Sequence, residues 1–314
     1  MIAIDEIRAA RERLAGRVLR TPLVPLDLPD QPAAIYLKLE NLQPIGSFKL
    51  RGALNAVLQT DPDDLRAGVL TASAGNMGQG VAWAARELGL PCTVVVPDQA
   101  PETKLAAIER LGGRTLKVPY ERWWQAISES SFPEVEGAFI HPVQDERVMA
   151  GNGTIGLEIL DDLPEPDRVL VPFGGGGLSV GIASAVKAVR PSTRVYAVEP
   201  ETGAPLTAAF ETGEPRPVEY QVSFVDGSGA PAVLPAMWPR AREALDGAFS
   251  VSLDGTAAAV RLLAERARVV AEGAGALALA AALANGWDET IVCVVSGGNI
   301  DASKLTKILA GTTP

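Results

Sequence analysis

His141 is the only histidine in this 314-residue chain, and Cys92 and Cys293 are its only cysteines. A serine–histidine triad, a multi-histidine zinc site and a histidine acid–base pair are therefore nearly excluded. Both cysteines sit inside apolar, strand-like runs. They read as small core residues of a reducing compartment, not as a disulfide framework or a metal site. No apolar run approaches the length of a membrane span, and the chain opens on Asp5, Glu6, Arg8, Arg11, Glu12 and Arg13 where a signal peptide would be apolar. The expectation is a cytoplasmic protein with no membrane partner. Basic residues are outnumbered, 28 Lys and Arg against 38 Asp and Glu, for a net charge of −10. That balance argues against nucleic acid, whose phosphates attract basic patches. There is no repeat, charge run or low-complexity linker either. What remains is ordinary for a globular enzyme: 47% hydrophobic residues, 21% charged, and length enough for two lobes.

Continuously apolar, β-branched runs alternate with segments of helical periodicity. Strands are predicted at 35–39, 68–73, 92–96, 115–118, 138–140, 168–173, 195–198 and 291–295, with an extended segment from Thr21. Helices are predicted at 5–14, after Ser47, from Val81 to Leu88, and over 101–111, 121–130, 148–160, 178–189, 204–210, 256–268 and 273–283, with a last short one closing the chain. The Pro- and Gly-rich stretch 213–239 reads as loop with short elements. Apolar strands alternating with helices indicate parallel sheets covered on both faces, an α/β fold.

One lysine stands where such a strand gives way to a helix. In Ser47-Phe48-Lys49-Leu50-Arg51-Gly52-Ala53, Ser47 reads as the N-cap and Leu50, Ala53, Leu54, Val57 and Leu58 recur at helical spacing. Lys49 then lies in the first turn, where the helix dipole lowers its pKa and favours a free nucleophile. A surface lysine on an ordinary helix is the plain alternative. Three Gly-rich loops follow strands: 73–80, 174–178 and 296–299. Parallel folds place ligands at these carboxyl ends. The tetraglycine Gly174 to Gly177, before a helix start, offers backbone N–H groups to a phosphate. It lacks the Lys-Ser/Thr of a nucleotide loop and the dinucleotide spacing, so a single phosphate is its expected target. A tight turn without ligand stays open.

In order along the chain, Ser-Phe-Lys-x-Arg-Gly-Ala, Ser-Ala-Gly-Asn-x-Gly-Gln-Gly, Gly-Gly-Gly-Gly-Leu and Ser-Gly-Gly-Asn resemble the pyridoxal-phosphate enzymes of fold type II. The resemblance runs from about Thr21 to Asp301 and is nearest to the threonine/serine dehydratase and serine racemase branch. His141-Pro142, Ala150-Gly-x-Gly-Thr154 and Val198-Glu199-Pro200 match between these motifs. The resemblance implies a tryptophan-synthase-β-like fold of two interleaved lobes: a large cofactor-binding lobe, 1–45 plus 142–314, and a small substrate-side lobe, 46–141. With the sequence ending near Pro314, no C-terminal regulatory domain like that of the biosynthetic threonine deaminases is expected; the family implies a homodimer. By resemblance, Lys49 forms the Schiff base with pyridoxal 5'-phosphate and Phe48 lies beside the ring. Asn76 meets the phenolic oxygen, Gly174, Gly175, Gly176, Gly177 and Leu178 hold the phosphate, and Ser296 meets the pyridine nitrogen. Ser73, Ala74, Asn76 and Met77 form the substrate loop, and Gly227 lines the pocket. A hydroxyl at the ring nitrogen does not keep it protonated as a carboxylate would. The ring is then a weaker electron sink, which suits β-elimination better than transamination.

Departures from the pattern refine the expectation. Racemases of the branch carry serine where this chain has Ala74, and a methyl is neither acid nor base, so elimination is expected over racemisation. Met77 replaces a histidine; with Val143, Trp123, Trp124 and Phe224 it suggests a less polar pocket, or it is a size-tolerant swap. The expected activity is an ammonia-lyase acting on L-threonine or L-serine. A bulkier, phenylserine-like substrate is the alternative, with racemisation and β-replacement ranked below. Glu199 matches one ligand of the branch's divalent site but Pro205 stands at the second, which argues against Mg or Ca and leaves a monovalent cation open. Glu272 falls where the branch carries an acid.

Overall fold

β-branched residues fill a pleated surface well, and here they are buried on both faces of two sheets. The computed structural model describes residues 1–29 and 31–314. Its strands are β1 (Leu23–Pro25), β2 (Ala34–Lys38), β3 (Val69–Ala72), β4 (Cys92–Pro97), β5 (Arg114–Val118), β6 (Ala138–Phe139), β7 (Arg168–Pro172), β8 (Arg194–Pro200), β9 (Gly247–Val251) and β10 (Thr290–Val294). The helices are α1 (Ile4–Leu14), α2 (Lys49–Leu58), α3 (Asn76–Glu87), α4 (Glu102–Arg110), α5 (Tyr120–Glu129), α6 (Glu146–Asp162), α7 (Gly177–Val189), α8 (Pro205–Thr212), α9 (Trp238–Ala244), α10 (Leu253–Leu262), α11 (Gly273–Asn285) and α12 (Ala302–Leu309). The larger sheet runs β1-β2-β10-β7-β8-β9 and the smaller β5-β4-β3-β6.

Side-chain alternation assigns each sheet two cores. On the larger sheet, Val169, Val171, Val195, Ala197, Val292 and Val294 face one cluster with residues of α1, α6, α7 and α9. Their neighbours Leu170, Val198, Ile291 and Cys293, with Ile35 and Leu37 of β2, face the other, with α10 and α11. On the smaller sheet Val69, Val94 and Val96 meet α2 and α3, while Leu70, Ala72 and Val95 meet α5. Both cysteines are free and buried, as their apolar setting implied. Burial pushes the Cys92 thiol up to about 12, so it is unreactive at neutral pH.

Four local expectations need correction. The edge strand β1 pairs antiparallel with β2, whereas every other neighbouring pair among the described residues is parallel. Pro25, lacking an N–H, is tolerated on that edge. β9 and α9 lie where only loop or nothing was expected; Gly-Ala-Phe-Ser-Val is half-exposed and carries no apolar run to reveal it. The single helix expected over 256–268 is α10 followed by a π turn, Leu263–Ala267, which Arg268 ends with φ +61°. The helix after Lys49 does not start on a Ser47 cap: its flanking residue is Phe48, and Ser47 Oγ reaches only the Lys49 N–H, at 3.4 Å. The cause is tertiary. Phe48 N donates to Ser296 O at 3.0 Å and Ser47 bridges Gly297, so the loop after β10 holds the chain where a side-chain cap would.

Candidate active site

Loops leaving β3, β7 and β10 converge where the two sheets meet, and with the start of α2 they enclose a cavity of about 640 Å³. Phe48, Lys49, Ser73, Ala74, Asn76, Met77, Gly174 to Leu178, Gly227 and Ser296 all border it. The residues picked from four separate motifs are therefore brought together, and Glu199 is not among them.

Lys49 is partly buried; its Nζ donates to Pro142 O at 3.0 Å and lies 5.3 Å from the centre of the Phe48 ring. Among the described residues it has no carboxylate partner. Burial pushes its ammonium down to about 8, so roughly a tenth of the amine is neutral at pH 7. The sequence pointed to the helix dipole for this shift; desolvation is the larger cause. The Pro142 carbonyl is itself fixed by His141. That ring accepts from the Val143 and Gln144 N–H groups at Nδ1, at 3.0 and 2.8 Å, so Nε2 carries the proton given to Ile127 O at 3.1 Å. His141 is buried and does not border the cavity. It shapes the loop beneath Lys49.

In the tetraglycine loop, Gly176 adopts φ +96° to enter α7. A Cβ on Gly175 would lie 2.5 Å from Val143 Cγ2, so only glycine lets Val143 pack against this turn. Unpaired N–H groups at a Gly-rich turn and at the N-terminus of α7, a 13-residue helix, are the chemistry that binds a phosphate. In the loop after β3, Ser73 Oγ accepts from Gly75 N at 3.2 Å. Met77 borders the cavity but is only 1% exposed and packs in the core of the smaller sheet, which favours its role as filler. Of the aromatic residues expected near the pocket, Trp123 borders it, with Tyr120 and Tyr220. Trp124 faces solvent and Phe224 is buried in the core of the larger sheet.

Glu199 is buried and accepts from Leu206 N at 3.1 Å, Thr207 N at 2.7 Å and Thr207 Oγ1 at 2.8 Å, which makes it an anchor for the start of α8. Burial pushes its carboxyl up to about 7. Two other sets of residues carry more weight in the structure than in the motifs. Glu272 is buried beside the cavity and accepts from Asn76 Nδ2 at 2.8 Å; burial, reinforced by Asp226, pushes it up to about 8. Arg51, two residues beyond Lys49, donates to both oxygens of Glu40, each at 2.8 Å, and to Glu158 at 2.7 and 2.8 Å; Lys38 completes the group at 2.5 Å from Glu158. The signal for both was a lone charge in an apolar run: Lys38 within 35–39, and Glu272 after Val269-Val270-Ala271.

The model of the family "Pyridoxal-phosphate dependent enzyme" matches residues 14–297. The chain belongs to this family. It is 39% identical to a catabolic L-threonine dehydratase of Escherichia coli over 98% of this chain and 96% of the relative. It is 37% identical to an L-threonine ammonia-lyase of Thermotoga maritima, over 98% of this chain and 78% of the relative. Maize serine racemase superposes with a TM-score of 0.91 at 32% identity, covering 99% of this chain and 98% of that one. A pyridoxal-phosphate enzyme needs a lysine amine that can lose its proton and a backbone cradle for a phosphate. The cavity supplies Lys49 for the first and the Gly174 to Leu178 turn for the second, so the residues fit the cofactor.

Proposed function

We propose that this chain converts an L-3-hydroxy amino acid of the threonine and serine class to a 2-oxo acid and ammonia by β-elimination. The observation that carries the reading is Lys49: a desolvated amine with no ion-pair partner among the described residues, in one cavity with the glycine cradle and the Ser73 to Asn76 loop. When bound, pyridoxal phosphate supplies an aldehyde for the substrate amine and a conjugated ring that spreads the electron pair left at Cα. In this reading Lys49 carries the cofactor and then, as the free amine, takes the Cα proton. Backbone N–H groups of Gly174 to Leu178 would hold the cofactor's phosphate, Ser296 would meet the ring nitrogen and Phe48 would lie beside the ring. Ser73 and Asn76, through the backbone of their loop, hold the substrate carboxylate, with Ala74, Met77 and Gly227 walling the pocket. The hydroxyl leaves Cβ with a proton as water, and hydrolysis of the released enamine returns that water and gives ammonia. Ala74 offers no base on the second face, so the reaction is one-sided.

We divide the chain into 1–45 plus 142–314, holding the cofactor, and 46–141, on the substrate side. A cytoplasmic homodimer goes with this reading. Glu199 is assigned to α8, so chelation of divalent cations is expected to leave turnover unchanged, and any cation dependence is placed on a monovalent ion. Tyr120, Trp123 and Tyr220 at the cavity favour a second reading, a bulkier substituent on Cβ. A 2-oxo acid assay across L- and D-threonine, serine and phenylserine, with and without K⁺ and Mg²⁺, tests these statements together. Turnover of L-threonine or L-serine is expected; turnover of phenylserine alone selects the second reading, and no turnover of any rejects both.

A further inference from the structure

Asn76 is held from two sides. Its Oδ1 accepts from Asn299 Nδ2 at 2.8 Å, and its Nδ2 donates to Glu272 Oε1 at 2.8 Å. Asn299 Nδ2 is in turn anchored on Ile45 O at 2.8 Å. The backbone makes room for both neighbours. A Cβ on Gly297 would lie 2.4 Å from Glu272 Oε1, and one on Gly46, which has φ +69°, would lie 2.8 Å from Asn299 Oδ1. The two glycines belong to the loop after β10, which also carries Ser296, and to the turn that leads into Lys49, the first residue of α2. An amide whose oxygen and one N–H are taken has a single orientation and one N–H left for a ligand in the cavity.

We propose that Glu272 and Asn299 are positioning residues that lock the Asn76 amide with its free N–H available to the cofactor. The proposal rests on the reading that the cavity takes pyridoxal phosphate. An anionic ring oxygen repels an amide oxygen and attracts an N–H, so an unanchored amide would have to turn to its N–H face and give up its rotational freedom on binding. With Asn299 donating on one side and Glu272 accepting on the other, only one arrangement is satisfied. Asp226 and Lys104 are the charged groups that act on Glu272, and neither replaces its contact to Asn76.

The test is cofactor binding by the purified full-length chain, read as the dissociation constant and the visible absorbance maximum of bound pyridoxal phosphate. Asn299→Asp sets an acceptor against Asn76 Oδ1, and Glu272→Leu removes the acceptor for Nδ2. Each is expected to weaken binding about tenfold and to move the absorbance maximum, the effect of misplacing one hydrogen bond to an ionised oxygen. Glu272→Gln keeps an oxygen in place and is expected to hold both readouts near the parent. Unchanged binding and spectrum in Asn299→Asp, or a loss in Glu272→Gln equal to that in Glu272→Leu, overturns the proposal. Asn299 is exposed, so its variant tests the idea even where Glu272→Leu does not fold. Failure of the parent protein to bind the cofactor would instead reject the functional reading.

Discussion

In the proposed function, Lys49 depends on where it sits. The same amine on an exposed helix would be protonated to all but a few parts in ten thousand at pH 7, since an ordinary lysine titrates near 10.4. In the cavity, burial pushes it down to about 8. The cofactor-free protein should therefore capture pyridoxal phosphate at a rate that rises with pH through about 8 and then levels, because only the neutral amine attacks an aldehyde. A midpoint near 10, read by stopped-flow absorbance, would show that the environment has not shifted it. Ala74 acts by what it lacks. L-serine should give 2-oxo acid with little D-serine, and Ala74→Ser should raise D-serine formation relative to elimination by supplying a hydroxyl on the second face. Chiral chromatography checks both; D-serine at a rate comparable to 2-oxo acid in the parent protein contradicts the assignment.

At the scale of elements, α2 is fixed by charge as well as by packing. Arg51, Glu40, Lys38 and Glu158 are 1%, 0%, 0% and 7% exposed and sum to zero charge, tying the helix that carries Lys49 to β2 and α6. Removing one partner leaves a buried charge unpaired, so Arg51→Met is expected to cost about 3–5 kcal/mol in urea unfolding. Loss of less than about 1 kcal/mol would mean that water reaches the group. Burial raises the Glu40 carboxyl, but the Arg51 guanidinium more than offsets that and holds it below its ordinary value of 4.5. A depressed carboxylate contributes stability above its unfolded pKa and loses it as the pH falls through the folded one. Stability should accordingly drop below about pH 4.5 more steeply in the parent than in Glu40→Gln. Little of this network was legible in the sequence. Arg51 stood in a motif without a reason, and the pairing of Lys38 with a residue 120 positions away is a tertiary fact.

At the scale of the molecule, the strands buried on both faces were the legible part, because a continuous Val, Ile and Leu run bounded by turn residues fits little except a strand covered above and below. β9 escaped because an edge strand needs no such run. The loops of the site were legible for a different reason: glycine is required where backbone meets backbone or ligand, and each loop follows a strong strand. Their meeting in one cavity was not. It depends on the smaller sheet contributing the loop after β3 while the larger contributes those after β7 and β10, which no local pattern records. Glu272 and Asn299 were hidden for the same reason, since their partner Asn76 is about 200 residues distant in sequence.

In the proposed reaction Lys49 both holds the cofactor and is the only side-chain base at Cα. The most direct test is to follow 2-oxo acid release from L-threonine and the visible cofactor band together, in the parent protein and in Lys49→Ala. Band and product are expected in the parent and neither in the variant, with circular dichroism unchanged. A variant that keeps the band and still releases 2-oxo acid would contradict both roles.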